Sequence, residues 1–282
     1  MNGMDMEQEE YGILHHRGYE VLRTLGEGAF SRVFLVGERT GLSAQAPNLP
    51  KTIACKICRQ SKLGLQEGRL LQRMDHPLFP RFFGMWQEGE MIFLLMEAVF
   101  GSSLEALLKR RGSLTERQTA RMGMELAAGL KYLHELPEPV LFRDVKPANI
   151  LIRQDGRIKL LDLGCICRLG ERAQSLAGTP GYGAPEQLET GHVLTEACDV
   201  YGLGRTLQEA VGKDCNKAFA KVLDACTRTK EEIRLQDMRE VLAQLEPFAG
   251  EGSNAGMFLR KGSLRSPIVC VKNIWESRYK NT

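Results

Sequence analysis

The sequence has no long apolar run. Its longest useful one, Met91–Met96, falls far short of the roughly 20 residues that a membrane-spanning helix needs. A basic-then-apolar start is also missing. The first 17 residues set Asp5, Glu7, Glu9 and Glu10 against Arg17, so no secretory signal is expected. Net charge is scarce. A formal +3 over 282 residues gives no reason to expect nucleic acid or a membrane surface as partner. Eight cysteines without a secretion signal point to reduced thiols in a cytoplasm. They lack the repeated pairs of a zinc site. Cys55 and Cys58 lie in a strand-like run where side chains three apart face opposite ways, and Cys165-Ile166-Cys167 is a lone C-x-C. The glycine-rich Gly26-Glu27-Gly28 has no Gly-Lys-Ser/Thr after it, which excludes a P-loop. Strand rather than helix follows it, which excludes a dinucleotide fingerprint.

What is present describes an ordinary globular chain, 43% hydrophobic and 26% charged, with ample material for a core. Its length exceeds one average domain, so one large two-lobed body or two small ones is expected. Residues 1–17 read as a flexible acidic lead-in. From 18 to 97 the pattern is mostly β: a hairpin of 19–25 and 32–36 about the glycine turn, a strand at 52–57, and further strands near 82–87 and 91–97. From 98 to 247 it turns helical, with helices over 103–111 and 115–134, the second opened by a Thr115/Gln118 capping box. Residues 248–282 form a Gly- and Ser-containing tail that becomes basic. A mostly-β part followed by a mostly-α part predicts a bilobal α+β architecture.

The stretch that organises the chain is Leu141–Leu151, Leu-Phe-Arg-Asp-Val-Lys-Pro-Ala-Asn-Ile-Leu. Apolar flanks pin it and Pro147 disfavours an α-helix, so it reads as a loop aiming polar groups from a rigid scaffold. Asp144 offers a base, Lys146 a phosphate-neutralising cation and Asn149 a metal-binding amide oxygen. Lys56 sits inside a β-branched strand, and Glu67, eleven residues later, opens an amphipathic run that could bring a carboxylate to it.

In this order, glycine loop, strand lysine, helix glutamate and D-x-K-P-x-N loop, the chain resembles a Hanks-type serine/threonine protein kinase from about Tyr19 to Leu245. Its compactness suggests a bacterial member. The resemblance implies ATP-dependent phosphorylation of protein Ser/Thr hydroxyls, autophosphorylation, and ATP with Mg²⁺ or Mn²⁺ as cofactors. It assigns Gly26 and Gly28 to the phosphate-covering loop, and Lys56, paired with Glu67, to the α/β-phosphates. Leu25, Val33, Ala54 and Leu151 would enclose adenine, with Met96 as gatekeeper and Glu97 to Val99 as hinge. Asp144 becomes the catalytic base, Lys146 the γ-phosphate contact, and Asn149 and Asp162 the metal ligands. Thr179 would pack on Asp144 and Lys146, Glu186 would pair with Arg234, and Asp199 would hold the catalytic loop. Arg143 would gather a phosphate, with Ser175 the preferred phosphosite.

Several features depart from the family pattern. Phe142 replaces the usual histidine, Ser31 the third loop glycine, and Leu163 the phenylalanine of D-F-G. The short Lys56–Glu67 linker, with Gly64 and Gly68 each weakening a helix by roughly 1 kcal/mol against alanine, predicts a late-starting helix that is mobile or needs a second chain or regulatory partner to dock. A pseudokinase acting as a nucleotide-binding scaffold is the competing reading. The retained Lys56, Glu67, Asp144, Asn149 and Asp162 argue against it.

Overall fold

Runs rich in β-branched and aromatic residues between Tyr19 and Glu97 form the strands of a sheet. The computed structural model describes residues 3–28, 31–38, 50–173, 178–213 and 215–250. Within these the chain divides into two units, one of residues up to Asp75 with Pro80–Phe100, the other of His76–Phe79 with residues from Gly101 onward.

The first unit is a five-stranded antiparallel sheet in the order β1-β2-β3-β5-β4. Its strands are β1 (Tyr19–Glu27), β2 (Ser31–Glu38), β3 (Thr52–Cys58), β4 (Phe82–Glu88) and β5 (Met91–Glu97). Strand alternation sends Phe34, Val36, Cys55, Ile57, Phe93 and Leu95 to one face, where they form a core with Leu14. The other face carries Lys56 and Cys58, paired in register with Leu94 and Ile92. Cys55 and Cys58 therefore point to opposite faces, as their spacing in a strand requires.

Two expectations are corrected in this unit. Residues 3–16, read as a flexible lead-in, form helix α1 (Gly3–His16), with Leu14 and Glu10 both at zero exposure. Acidic composition hid a helix that packs Leu14 and Ile13 into the core of the sheet. The second helix, α2, runs Ser61–Arg73 instead of beginning near Glu67. Gly64 and Gly68, expected from propensity to leave this helix mobile or in need of a partner, are the positions where α2 lies against the sheet. A Cβ on Gly64 would come within 2.8 Å of the Cβ atoms of both Cys58 and Ile92, and one on Gly68 within 2.8 Å of Leu94 Cδ2.

The second unit is mostly helical. Its elements are β6 (Gly101–Ser103), α3 (Leu104–Arg111), α4 (Glu116–His134), β7 (Val140–Leu141), β8 (Ile150–Arg153), β9 (Ile158–Leu160), β10 (Cys167–Arg168), α5 (Ala197–Val211), α6 (Lys217–Cys226) and α7 (Met238–Ala249). The expected Thr115/Gln118 capping box opens α4, and Met122, Leu126, Leu130 and Leu133 on its apolar stripe are fully buried. The turn at His76–Phe79 is tied here by Leu160 N–H donating to Leu78 O and Lys159 Nζ donating to Phe79 O, each at 2.8 Å. Helix α7 continues past Pro247 to Ala249, whose carbonyl accepts from Arg121 Nε at 2.7 Å. No described helix is long and apolar enough to cross a membrane.

The close approach at Gly64 sets the sign of a substitution. Helix propensity alone predicts that Gly64→Ala stabilises α2 by up to ~1 kcal/mol. Because the opposing atoms are Cβ atoms fixed to the sheet backbone, we expect a net loss of about 1–3 kcal/mol, read by urea unfolding.

Candidate active site

In the first unit, β3 projects Lys56 from the sheet toward α2, where it meets Glu67. Lys56 Nζ donates to both Glu67 oxygens at 2.8 and 2.7 Å, and both residues are buried, at 4% and 5% exposure. A desolvated pair of this geometry fixes the ammonium in one place. Around Lys56 the sheet arranges further candidates: Val33 faces it in register on β2, and Ala54, two residues earlier, pairs with Met96 on β5. Glu97 pairs with Ile53, and Glu97 N–H donates to Arg81 O at 2.8 Å. Leu25 and Val99 are buried. Gly26 pairs with Val33 across the hairpin, and Gly28 N–H donates to Ser31 O at 2.8 Å, closing the turn where a third glycine was absent.

In the second unit, residues 142–149 form a loop ending in a short 3₁₀ turn, Pro147–Asn149. Asp144 stands at its centre, 1% exposed. Its Oδ1 accepts from Thr179 Oγ1 at 2.7 Å, and its Oδ2 accepts from Asn149 Nδ2 at 3.0 Å and lies 3.1 Å from Lys146 Nζ. Lys146 Nζ also donates to Thr179 Oγ1 at 2.6 Å. The loop thus brings Asp144, Lys146, Asn149 and Thr179 together, including the contact expected of Thr179. With its amide N–H groups spent on Asp144, Asn149 keeps a fully buried Oδ1 with no hydrogen-bond partner among the described residues. An amide oxygen so placed suits a hard cation, and so does the Asp162 carboxylate. Leu151, on β8, is buried.

Among the described residues, two that are not glycine have left-handed backbone, Arg143 at φ 68° and Asp162 at φ 70°. Such conformations persist where surrounding contacts over-determine them, and they gather at functional sites. The contacts at Arg143 are visible. Asp199, at zero exposure in the first turn of α5, accepts from Phe142 N–H at 2.8 Å and Arg143 N–H at 2.7 Å. Phe142 itself is fully buried, so the aromatic fills the position while its backbone makes the anchoring bond. Three more residues, not singled out from the sequence, hold the same loop. His134, ending α4, contacts Asp199 Oδ2 through Nε2 at 2.8 Å, Gln187 Nε2 donates to Arg143 O at 3.1 Å, and Thr206 Oγ1 donates to Val145 O at 3.0 Å. No local sequence signal sets them apart from the other polar residues of their elements. The Glu186–Arg234 pair forms as expected, with Arg234 Nη2 donating to Glu186 Oε2 at 3.0 Å and the guanidinium over the Tyr201 ring. Ser175 lies outside the described residues.

Burial alone would push the His134 imidazole down, but hydrogen bonds and charge from Asp199 and Glu196 outweigh it and raise its pKa to about 9. The folded value exceeds the ordinary 6.5, so the stabilisation is full below about pH 6.5 and is lost as pH rises through about 9. We expect unfolding free energy to fall by up to ~3 kcal/mol across that window in the wild type, and by much less in His134→Gln. Denaturant titrations at several pH values measure it.

Residues 19–247 match the protein kinase domain family. The chain is 34% identical over 190 residues to a human protein, cAMP-dependent protein kinase catalytic subunit PRKX, covering 66% of this chain and 51% of that one. It is 32% identical over 173 residues to cAMP-dependent protein kinase type 3 of Saccharomyces cerevisiae, covering 61% and 43%. Against serine/threonine-protein kinase akt-1 of Caenorhabditis elegans it is 28% identical over 238 residues, covering 80% and 43%. The chain spans about half the length of these curated relatives. The family match takes in the glycine-rich hairpin, the Lys56–Glu67 pair, the Asp144 loop and the Glu186–Arg234 pair, and this chain belongs to the protein kinase domain family.

Proposed function

We propose that the protein transfers the γ-phosphoryl group of ATP to serine or threonine hydroxyls of proteins, itself included. The observation that carries this reading is the arrangement of Asp144, Lys146, Asn149 and Thr179 about one buried carboxylate. Phosphoryl transfer demands positioning and charge neutralisation more than covalent help from the protein. Asp144 accepts the proton of the attacking hydroxyl, taking the place that Thr179 Oγ1–H now holds on its Oδ1. Lys146 neutralises charge at the transferred group, and Thr179 fixes the ammonium and the carboxylate in register. Lys56, held by Glu67, binds the α/β-phosphates, under a loop whose Gly26 and Gly28 let backbone approach an anion. Leu25, Val33, Ala54 and Met96 supply an apolar surface for adenine, and the backbone from Glu97 to Val99 its hydrogen bonds. Asn149 and Asp162 would hold Mg²⁺ or Mn²⁺, which when bound neutralises phosphate oxygens. Among the described residues seven cysteines are free, which suits the cytoplasm as the setting.

Regulation follows from Arg143. Its Nε and Nη2 atoms are buried without a hydrogen-bond partner among the described residues, an arrangement suited to an anion such as a phosphate on Ser175.

Incubation with ATP and Mg²⁺ followed by phosphate mapping tests both statements. We expect phosphorylated Ser/Thr in the wild type and a fall of ~10²–10⁴-fold in rate for Asp144→Asn. Equal phosphate on both would point to a nucleotide-binding scaffold instead. Phosphopeptide mapping of the active protein should show Ser175 modified; finding it bare removes it as the regulatory site.

A further inference from the structure

Helix α1 carries a buried charge that neither sheet packing nor the family match accounts for. Glu10 is fully buried, and both its carboxylate oxygens are in use. Oε1 accepts from Arg59 Nε at 3.1 Å and Arg59 Nη2 at 3.0 Å, and Oε2 accepts from Arg32 Nη1 at 2.8 Å. Apolar anchoring of α1 is already provided one turn away by Leu14, and beside Glu10 by Tyr11, whose ring meets Phe34 edge-on at 5.3 Å. A carboxylate taken out of water costs stability unless it is fully paired, and a nonpolar side chain would cover the same surface. The paired charge specifies a register.

Its two partners sit at places that matter. Arg32 is the second residue of β2, immediately beyond the glycine-rich turn, and it faces Glu27 across the hairpin. Arg32 Nε donates to Glu27 Oε1 at 3.1 Å, so one guanidinium joins Glu10 on α1 to the glutamate between the two loop glycines. Arg59 lies in the turn between β3, which carries Lys56, and α2, which carries Glu67. A single side chain therefore ties the stem of the glycine-rich loop to the turn joining the two halves of the Lys56–Glu67 pair.

Resting on the kinase reading above, we propose that Glu10 is a positioning residue. Through Arg32 and Arg59, α1 sets the geometry of the glycine-rich loop and of the β3–α2 turn, and thereby the affinity for nucleotide. Glu10 touches neither nucleotide nor acceptor and acts through its partners. Glu10, which precedes the part matched to the family, is in this way coupled to its nucleotide-binding residues.

The test compares Glu10→Gln, which keeps shape and removes charge, with Leu14→Ala, which removes core packing from the same helix and leaves the carboxylate. Dissociation constants for the non-hydrolysable analogue AMP-PNP with Mg²⁺ are measured by calorimetry, beside KM for ATP, kcat and Tm. For Glu10→Gln we expect the AMP-PNP Kd and the KM for ATP to rise about fivefold or more, with kcat within about twofold. Arg59→Gln should do the same, and the double variant no more than either single one, since all act through one network. Leu14→Ala should lower Tm at least as much yet leave Kd near the wild-type value. Glu10→Asp should recover part of the affinity. An unchanged Kd in Glu10→Gln, whatever its Tm, overturns the proposal. So does a Kd that simply tracks Tm across all variants. Wild-type protein that binds AMP-PNP but transfers no phosphate would sink the kinase reading, while the dissociation constants would still decide the role of Glu10.

Discussion

The Asp199 carboxylate, buried in the first turn of α5, accepts the backbone N–H groups of Phe142 and Arg143 and faces the imidazole of His134. The backbone at the start of the Asp144 loop is held by that anchorage. Pro147 has no backbone N–H and opens only a short 3₁₀ turn, and Arg143 occupies left-handed backbone that a non-glycine residue reaches only under constraint. The buried carboxylate supplies the constraint, and positive charge on His134 reduces the cost of holding it away from water. Thr206 and Gln187 take up the loop carbonyls of Val145 and Arg143, so both strands of hydrogen-bonding demand are met from fixed elements.

The first unit solves a similar problem with different means. There a sheet holds Lys56 by strand pairing on both sides, and a helix delivers Glu67 because Gly64 and Gly68 let it lie close to the strands. The opposite sheet face is closed by α1, so the strand bearing Lys56 is packed from above and below. Buried ion pairs recur at the decisive contacts: Lys56 with Glu67, Glu10 with Arg32 and Arg59, Glu186 with Arg234. Each is a weak source of stability and a strong source of geometry, because only one arrangement satisfies the desolvated charges.

Much of this was legible in the residues. The strands and the long helix α4 follow from periodicities of two and of about 3.6 in apolar positions, and the Thr115/Gln118 box marks a helix start with a stated mechanism. The family resemblance placed Thr179 beside Asp144 and Glu186 beside Arg234, and both contacts are present. Three features could not be read locally. Composition cannot distinguish an exposed acidic segment from α1, because the fate of Glu10 depends on arginines 22 and 49 residues away. Nor can propensity tell a weak helix from one whose glycines meet a sheet. Polarity alone does not mark His134, Gln187 and Thr206 as supports of a loop distant in sequence.

By itself, then, the sequence determined the strands of the first unit, the long helix α4 and the chemical inventory, because alternation, capping and composition are local properties. Tertiary structure alone decided which charges are buried against which, where α2 begins, and that α1 belongs to the sheet. Those outcomes turn on desolvation and close packing between residues far apart in the chain, and neither quantity exists until the chain has folded.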